Sequence, residues 1–567
     1  MEYIERYREW REFAGGNREL MAELDRIADD EKQIEDRFYK NLSFGTGGLR
    51  GLIGAGDNRM NVFTVKKASQ GLAYYLMQES AHPSVAVAFD SRRNSEVFAD
   101  AAAEVFAANG IHVRMFGSLA PTPMLSFAVR ELSCSAGIVI TASHNPAEYN
   151  GYKVYGDDGC QITLPAAEKI TGFIDGVDIF SGVRSIHCND ALLRGVLEYI
   201  GEPVIEKYFE EVRRQSVFSK TAEADLAVAY SPLCGTGQKP VKRILSEIGV
   251  SRLHVVKEQE MPDPDFTTCP YPNPEEKDAL TLALALMQSE NADLLLATDP
   301  DCDRVGVAAR RGAEPVLLTG NQIGVLLFDF ICAMRRKNGT MPQNPVAVKT
   351  IVTTEMAQSV ADEYGVELRN VLTGFKFIGE QIGLLEQEGG QDRYIFGFEE
   401  SYGYLSGTYA RDKDAVNASM LICEMAAYYK REGKTLLDVM ASLYKKHGYY
   451  FDRLESTGYT GPGGMRQMTG IMDALRKNPP EMVGGMEISC VCDYLTQTKT
   501  CGGKSEPLTL PASDVIGLHL VGGSSVVVRP SGTEPKLKVY YSLKCADEAQ
   551  AGEVFARIQA DVQKVLA

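Results

Sequence analysis

Short apolar runs, each trailed by a helix-length segment, recur along this chain in three rounds of similar size, and that recurrence confines it to an α/β architecture. In the first round Val85-Ala-Val-Ala-Phe89 reads as a strand and residues 94–108 as a helix, with Asn94 or Ser95 as cap and Gly110 as stop. Ile111-His-Val-Arg-Met115 returns as a strand, and Ala136-Gly-Ile-Val-Ile140 is a later strand of the same sheet. The second round has strands at 225–230, 254–256 and 292–297 and helices at 240–248 and 275–289. The third opens with a helix near Asn321 and continues with strands at 346–352, 366–372 and 394–396 and a helix at 355–364. The end differs, with a strand at 536–543 and a long helix at 546–566. Four domains are expected: three similar mixed-sheet α/β domains and a smaller C-terminal α+β domain. Their spans are 1–202, 203–319, 320–455 and 456–567, with linkers near 201–203, 313–320 and 448–456. The first forty residues read as an amphipathic helical packing arm, and 456–505 as additional loops and strands without chemistry.

Composition narrows the partners. At 567 residues the chain exceeds one hydrophobic core. A net charge of -17 argues against nucleic acid and anionic membranes. No apolar run reaches the ~18–20 residues of a membrane span, and the charged N-terminus does not read as a signal peptide. The 12 cysteines include no CxxC pair, so reduced thiols and a cytoplasmic location are the expectation. The 7 histidines show no HxxxH or HExxH spacing, so no zinc hydrolase is visible.

Three loops carry chemistry. Thr141-Ala-Ser-His-Asn-Pro146 follows an apolar strand; Pro146 disfavours a helical Asn145, so Ser143 is presented at the strand's C-terminal end, where open α/β sheets bind ligands. Asp299-Pro-Asp-Cys-Asp-Arg304 also follows an apolar strand. In extended backbone its three carboxylates share a side, and such crowding calls for a cation among them. All-oxygen ligands suit Mg²⁺ or Mn²⁺. An EF-hand is excluded, because its glycine and glutamate positions hold Arg304 and Arg310. In Arg529-Pro-Ser-Gly-Thr-Glu-Pro-Lys536, Arg529 pairs with phosphate oxygens, Ser531 and Thr533 add hydroxyls, and Gly532 lets the backbone approach an anion. Serine, carboxylate triad and phosphate loop together describe phosphoryl transfer to and from Ser143 on a phosphorylated substrate.

These strings, with Gly397-Phe-Glu-Glu-Ser-Tyr-Gly403 between the last two, resemble the α-D-phosphohexomutase family in order and spacing over roughly residues 41–550. They look like its phosphoserine, metal, sugar-binding and phosphate-binding loops. Ser43-Phe-Gly-Thr-Gly-Gly-Leu-Arg-Gly51 resembles the family's N-terminal active-site segment, with Gly47 where alanine is common. The resemblance implies domains around a central cleft and one Mg²⁺ held by Asp299, Asp301, Asp303 and an oxygen on Ser143. It also implies catalytic roles for Lys153 (in Asn-Gly-Tyr-Lys), His144, Arg304 and Lys413. Amid cations, Lys153 should favour its neutral form and serve as a base, while alternation aims His144 away from Ser143. Arg50, Thr373, Gly374, Lys376, Glu399, Ser401, Arg529, Ser531, Gly532 and Thr533 would bind substrate. A basic cleft in an acidic protein, including Arg50, Lys153, Arg304, Lys376, Lys413, Arg529 and Lys536, would concentrate an anionic sugar phosphate.

The implied reaction interconverts glucose 1-phosphate and glucose 6-phosphate through a phosphoserine and glucose 1,6-bisphosphate. The sugar loop lacks the histidine usual in phosphomannomutases and glucosamine-phosphate mutases, which favours glucose. The long N-terminal arm and the 456–505 insertion resemble the long-chain phosphoglucomutase-like subgroup, in which phosphopentomutases also occur. Phosphopentomutase or phosphomannomutase activity is the alternative, followed by a sugar-phosphate-binding pseudoenzyme or a phosphatase. A monomer or small homo-oligomer is expected.

Overall fold

The apolar runs become strands buried along nearly their whole length. In the computed structural model, which describes residues 2–45, 47–459, 461–531 and 536–566, they lie in two units. One unit comprises 1–318, 379–391 and 403–430, the other 319–378, 392–402 and 431–567.

The first unit holds two mixed sheets. One orders its strands Gly48–Leu52, Tyr149–Gly156, Ala136–Ile140, Ser84–Phe89, His112–Phe116, Leu197–Ile200. The first three are antiparallel neighbours and the rest pair in parallel. The parallel strands Ala136–Ile140 and Ser84–Phe89 therefore deliver residues 141–146 and 90–95 to one edge of the sheet. The antiparallel register sets Val139 opposite Lys153, so Lys153 lies close to that edge too. The other sheet orders Glu314–Leu318, Val305–Arg311, Leu294–Thr298, Ala227–Ser231, Arg252–Val255. Leu294–Thr298 and Val305–Arg311 form a hairpin whose loop is 299–304.

The N-terminal arm is three helices, Glu2–Phe13, Arg18–Arg26 and Glu31–Phe38, broken where Gly15 and Gly16 interrupt the periodicity. Their apolar faces meet in a small core of Tyr7, Trp10, Leu24, Ile34 and Phe38 with Ile179. Trp10, fully buried, donates its Nε1–H to Asp57 at 3.1 Å. Truncation of such a tryptophan costs about 3–5 kcal/mol.

In the second unit Glu367–Val371, Val346–Thr350 and Tyr394–Glu399 pair in parallel. The helix Gly320–Asn338 lies close against these strands because Gly324 has no side chain. A Cβ there would come within 2.1 Å of the Phe398 ring. The C-terminal sheet is antiparallel, in the order Tyr449–Gly458, Lys536–Cys545, Ser524–Pro530, Ile516–Leu520, Met486–Asp493, Thr498–Cys501, Lys504–Pro507. The helices Gly461–Lys477 and Glu548–Val565 pack on it.

Four expectations change. The linkers are regular structure: Glu202 opens the helix Glu202–Arg214, 313–320 contains Glu314–Leu318, and 448–456 lies mostly in Tyr449–Gly458. The last of these pairs along its full length with Lys536–Cys545, so a boundary at 455/456 would cut one sheet in two. The 456–505 segment, read as loops and strands, includes the helix Gly461–Lys477, which its Gly-Pro-Gly-Gly start disguises. Not every cysteine is reduced, because cross-strand register places Cys490 opposite Cys501 and the pair is disulfide-bonded. Among the described residues no helix is long and apolar enough to cross a membrane.

Candidate active site

Ser143 sits where its strand ends. The strand stops at Ile140, and Asn145 N–H closes a turn onto the Ala142 carbonyl. Ser143 takes a left-handed backbone at φ 53°, which breaks the alternation of a strand. His144 is consequently not aimed away: its Nδ1 lies 3.0 Å from Ser143 Oγ. The Thr141 hydroxyl accepts the Ser143 amide at 2.8 Å and helps hold the turn. Beneath it Arg92, its side chain fully buried, donates to the carbonyl oxygens of Ser143, Asn145, Pro146 and Tyr149, and Asp90 pairs with it at 3.3 Å.

The carboxylate loop is likewise a turn and not extended chain. Cys302, at φ 54°, bends it, and its amide donates to the Asp299 carbonyl at 2.9 Å. The carboxylates converge for that reason, with one oxygen of each of Asp299, Asp301 and Asp303 within 4.8 Å of the others. Asp299 Oδ1 accepts the amides of Asp303 and Arg304, both at 3.0 Å, and Asp299 Oδ2 accepts the Ser143 hydroxyl at 2.9 Å. Asp301 Oδ2 accepts from Thr122 Oγ1 at 2.9 Å and from Lys153 Nζ at 2.8 Å. Lys413 Nζ lies 3.0 Å from Asp303 Oδ2 and 3.0 Å from Asp412, whose other oxygen accepts the Tyr155 hydroxyl at 2.7 Å.

Burial, then the charges of Asp301 and Asp303, push Asp299 well above the usual carboxylate range. Burial also acts to raise Asp301, but Lys153 outweighs it and holds Asp301 low. The unbonded oxygens Asp301 Oδ1 and Asp303 Oδ1 are buried and accept no hydrogen bond among the described residues. Buried acceptors of this kind, beside a carboxylate that resists ionisation, fit a hard divalent cation. The expected neutral lysine is reversed in this arrangement. Burial works against the Lys153 charge, yet Asp301 and Asp303 prevail and keep its nitrogen protonated. Burial first, then Arg304, Arg50 and Arg92, drive His144 well below the usual imidazole range, so it is neutral. Arg50 reaches Asn145 Oδ1 at 3.3 Å, and Arg304 is ion-paired to Glu275.

Arg92, Thr122, Asp412 and Tyr155 escaped the sequence reading. The signal for Arg92 was present: Asp90-Ser-Arg follows a buried strand at the same edge as Ser143.

The remaining predicted residues belong to the second unit. Glu399 ends the strand Tyr394–Glu399 and is buried, while neighbouring Glu400 accepts the hydroxyls of Thr350 and Thr353 at 3.2 and 3.3 Å. Ser401 lies in the turn that follows. Thr373 and Gly374 precede the helix that begins at Phe375, in whose first turn Lys376 sits, and Gly374 has φ 116°. Arg529 lies near the end of Ser524–Pro530, and the Ser531 amide donates to the Lys536 carbonyl at 2.7 Å. Val527 of that strand packs with Ile351, Val352 and Leu372, which brings the C-terminal sheet against the parallel strands. Gly532 and Thr533 lie outside the described residues.

Residues 41–178, 206–312 and 319–447 match the profiles of α/β/α domains I, II and III of phosphoglucomutase/phosphomannomutase, and 515–561 match its C-terminal domain. The chain belongs to the phosphoglucomutase/phosphomannomutase family. A relative in that family, a phosphoglucomutase of Staphylococcus epidermidis, is 36% identical over 534 residues, covering 91% of this chain and 95% of its own. A phosphoglucomutase of Staphylococcus aureus is 37% identical over 527 residues, covering 92% and 93%. The family fold recurs in a putative phosphomannomutase of Thermus thermophilus, with TM-score 0.68, 22% identity and coverage of 93% and 99%. It recurs also in the open form of parafusin, a Paramecium phosphoglucomutase, with TM-score 0.70, 17% identity and coverage of 93% and 94%.

Proposed function

We propose that this chain interconverts glucose 1-phosphate and glucose 6-phosphate, with Ser143 carrying the phosphoryl group and glucose 1,6-bisphosphate as the intermediate. The observation that carries the reading is the Ser143 hydroxyl, 2.9 Å from Asp299 inside a buried carboxylate cluster flanked by Lys153 and Lys413. Relatives at 36% and 37% identity over most of the chain bear the name phosphoglucomutase.

Asp299, Asp301 and Asp303, with an oxygen on Ser143, would hold Mg²⁺. That ion would offset negative charge on the phosphoryl group in transit. The other work falls to the chain. Phosphorylated Ser143 gives its phosphoryl group to the free sugar hydroxyl. Lys413, in its amine form, would take the hydroxyl proton, and the protonated Lys153 would return one to the seryl oxygen. The bisphosphate then turns over, and its other phosphoryl group passes to Ser143. Neutral His144 orients the seryl oxygen through Nδ1, and Arg92 fixes the turn by its four carbonyl contacts. Arg529 with the 531–533 turn is assigned to the phosphate that stays in place, and binding energy there assists the distant transfer. Glu399 and Ser401 are assigned to the ring hydroxyls. Ten of the 12 cysteines are free, which supports a cytoplasmic location, and the Cys490–Cys501 bridge is the exception to it.

A coupled assay across glucose, mannose, glucosamine and ribose 1-phosphates, run beside a free-phosphate assay, tests the reading. Turnover fastest on glucose 1-phosphate with little phosphate release is expected. Preference for the pentose or mannose ester replaces the substrate, and dominant phosphate release replaces mutase with phosphatase.

A further inference from the structure

The proline-rich segment between Gln259 and Lys277 is firmly built and touches three groups that govern Ser143. Asp263 accepts the amides of Asp265 and Thr267 at 3.0 and 2.8 Å, and Asn273 caps the Glu275 amide at 3.1 Å. The Pro274 carbonyl lies so close to Gly306 that a Cβ there would approach it to 2.7 Å, which presses the loop against the strand leaving the carboxylate turn. Phe266, fully buried, stacks under the Arg92 guanidinium at 4.9 Å, and Arg92 holds the Ser143 turn. Tyr271 meets the His144 ring edge-on, with centroids 6.1 Å apart at 82°. Glu275 is ion-paired to Arg304, whose backbone amide sits on Asp299.

We propose that this loop is the positioning device for the nucleophile, with Tyr271 and Glu275 as its positioning residues. Tyr271 fixes the plane of the His144 imidazole so that Nδ1 stays on Ser143 Oγ. Glu275 fixes the guanidinium of Arg304 beside the carboxylate turn that receives the Ser143 hydroxyl. A single segment of the carboxylate-bearing sheet thereby sets the angle of a serine on the other sheet of the same unit. Rotational freedom of the acceptor or donor is what such a brace removes, and small misplacements of reacting groups cost large factors in rate. The inference rests on the phosphoryl-transfer reading above.

Tyr271 is 40% exposed and Glu275 half-buried, so substitution there leaves the core intact. The test measures kcat and KM separately, with thermal midpoints, for Tyr271→Ala, Tyr271→Phe and Glu275→Gln in the full chain. Expected results are kcat lower by about tenfold or more for Tyr271→Ala and Glu275→Gln, with KM and thermal midpoint unchanged. Tyr271→Phe, which keeps the ring edge, should restore wild-type kcat. Wild-type kcat in both Tyr271→Ala and Glu275→Gln overturns the proposal. So does a raised KM at constant kcat, which would make these residues substrate contacts, or a Tyr271→Phe variant as slow as Tyr271→Ala. A wild-type protein that interconverts no sugar phosphate sinks the functional reading instead, which separates the two failures.

Discussion

Ser143 Oγ donates to Asp299 Oδ2 at 2.9 Å, joining the end of one sheet's strand to the turn of another. That contact puts the proposed nucleophile and a carboxylate assigned to the cation on the same atom pair. Intact-mass measurement on active protein should show a species about 80 Da heavier, the mass of a phosphoryl group, mapping to 141–146. Ser143→Ala should lose both the added mass and turnover. Near-native turnover in that variant would refute the carrier role.

Asp301 presents one oxygen to Thr122 and Lys153 and keeps the other buried, with no hydrogen bond among the described residues. Chelator should therefore abolish activity and Mg²⁺ should restore it. Asp301→Ala, which removes a proposed ligand and leaves Lys153 without its nearest carboxylate, should lower kcat by about a hundredfold or more. Initial rates with and without chelator measure this, and undiminished turnover in excess chelator would reduce the triad to a structural turn.

Arg529 is assigned to the spectator phosphate. Arg529→Ala should raise KM for both glucose 1-phosphate and glucose 6-phosphate and lower kcat, since remote binding energy aligns the reacting hydroxyl. Bisphosphate should escape more often from the weakened grip. Added glucose 1,6-bisphosphate should then revive the variant in a progress curve. A variant matching wild type in all three respects would make the loop an ordinary surface turn.

Glu424 supplies a pH prediction away from the chemistry. It is buried and accepts the Ser216 hydroxyl and the amides of Val217 and Phe218, the latter at 2.9 and 3.0 Å. Burial pushes it up to about 7 from its usual 4.5, against the pull of those donors. The folded state thus holds this proton more tightly than the unfolded chain. Its contribution is greatest below pH 4.5 and declines as pH rises to about 7. The loss at pH 8 is about 3 kcal/mol. Glu424→Gln should leave the thermal midpoint unchanged at pH 4.5 and raise it at pH 8. Calorimetry at the two values checks this, and equal midpoints at pH 8 would show that Glu424 ionises freely in the fold.

Much of the site was legible because charged loops follow buried strands. Residues 141–146 and 299–304 could be placed at strand ends from apolar runs alone, and both lie there. What alternation could not reveal was the left-handed backbone at Ser143 and Cys302, since either residue is ordinary in a strand. The convergence of the three aspartates and the turn of His144 toward Ser143 both come from those two torsions. Tyr449–Gly458 was missed as a strand because Asp452, Arg453, Glu455, Ser456 and Thr457 leave it no apolar period, and it lies at a sheet edge. The Cys490–Cys501 bridge depends on a cross-strand register that spacing alone does not specify.

The φ of 53° at Ser143 also limits what chemistry can ever occupy that place. Threonine bears the same hydroxyl, but its branched Cβ adds to the cost of about 1–2 kcal/mol that left-handed backbone carries for any residue with a Cβ. Aspartate tolerates that conformation and would bring a permanent negative charge against Asp299, a mimic of the phosphorylated state without a group to transfer. The torsion thus makes the position selective for a small unbranched alcohol. A chain that drifted to threonine here would keep every functional group of the reaction and lose the geometry that joins them.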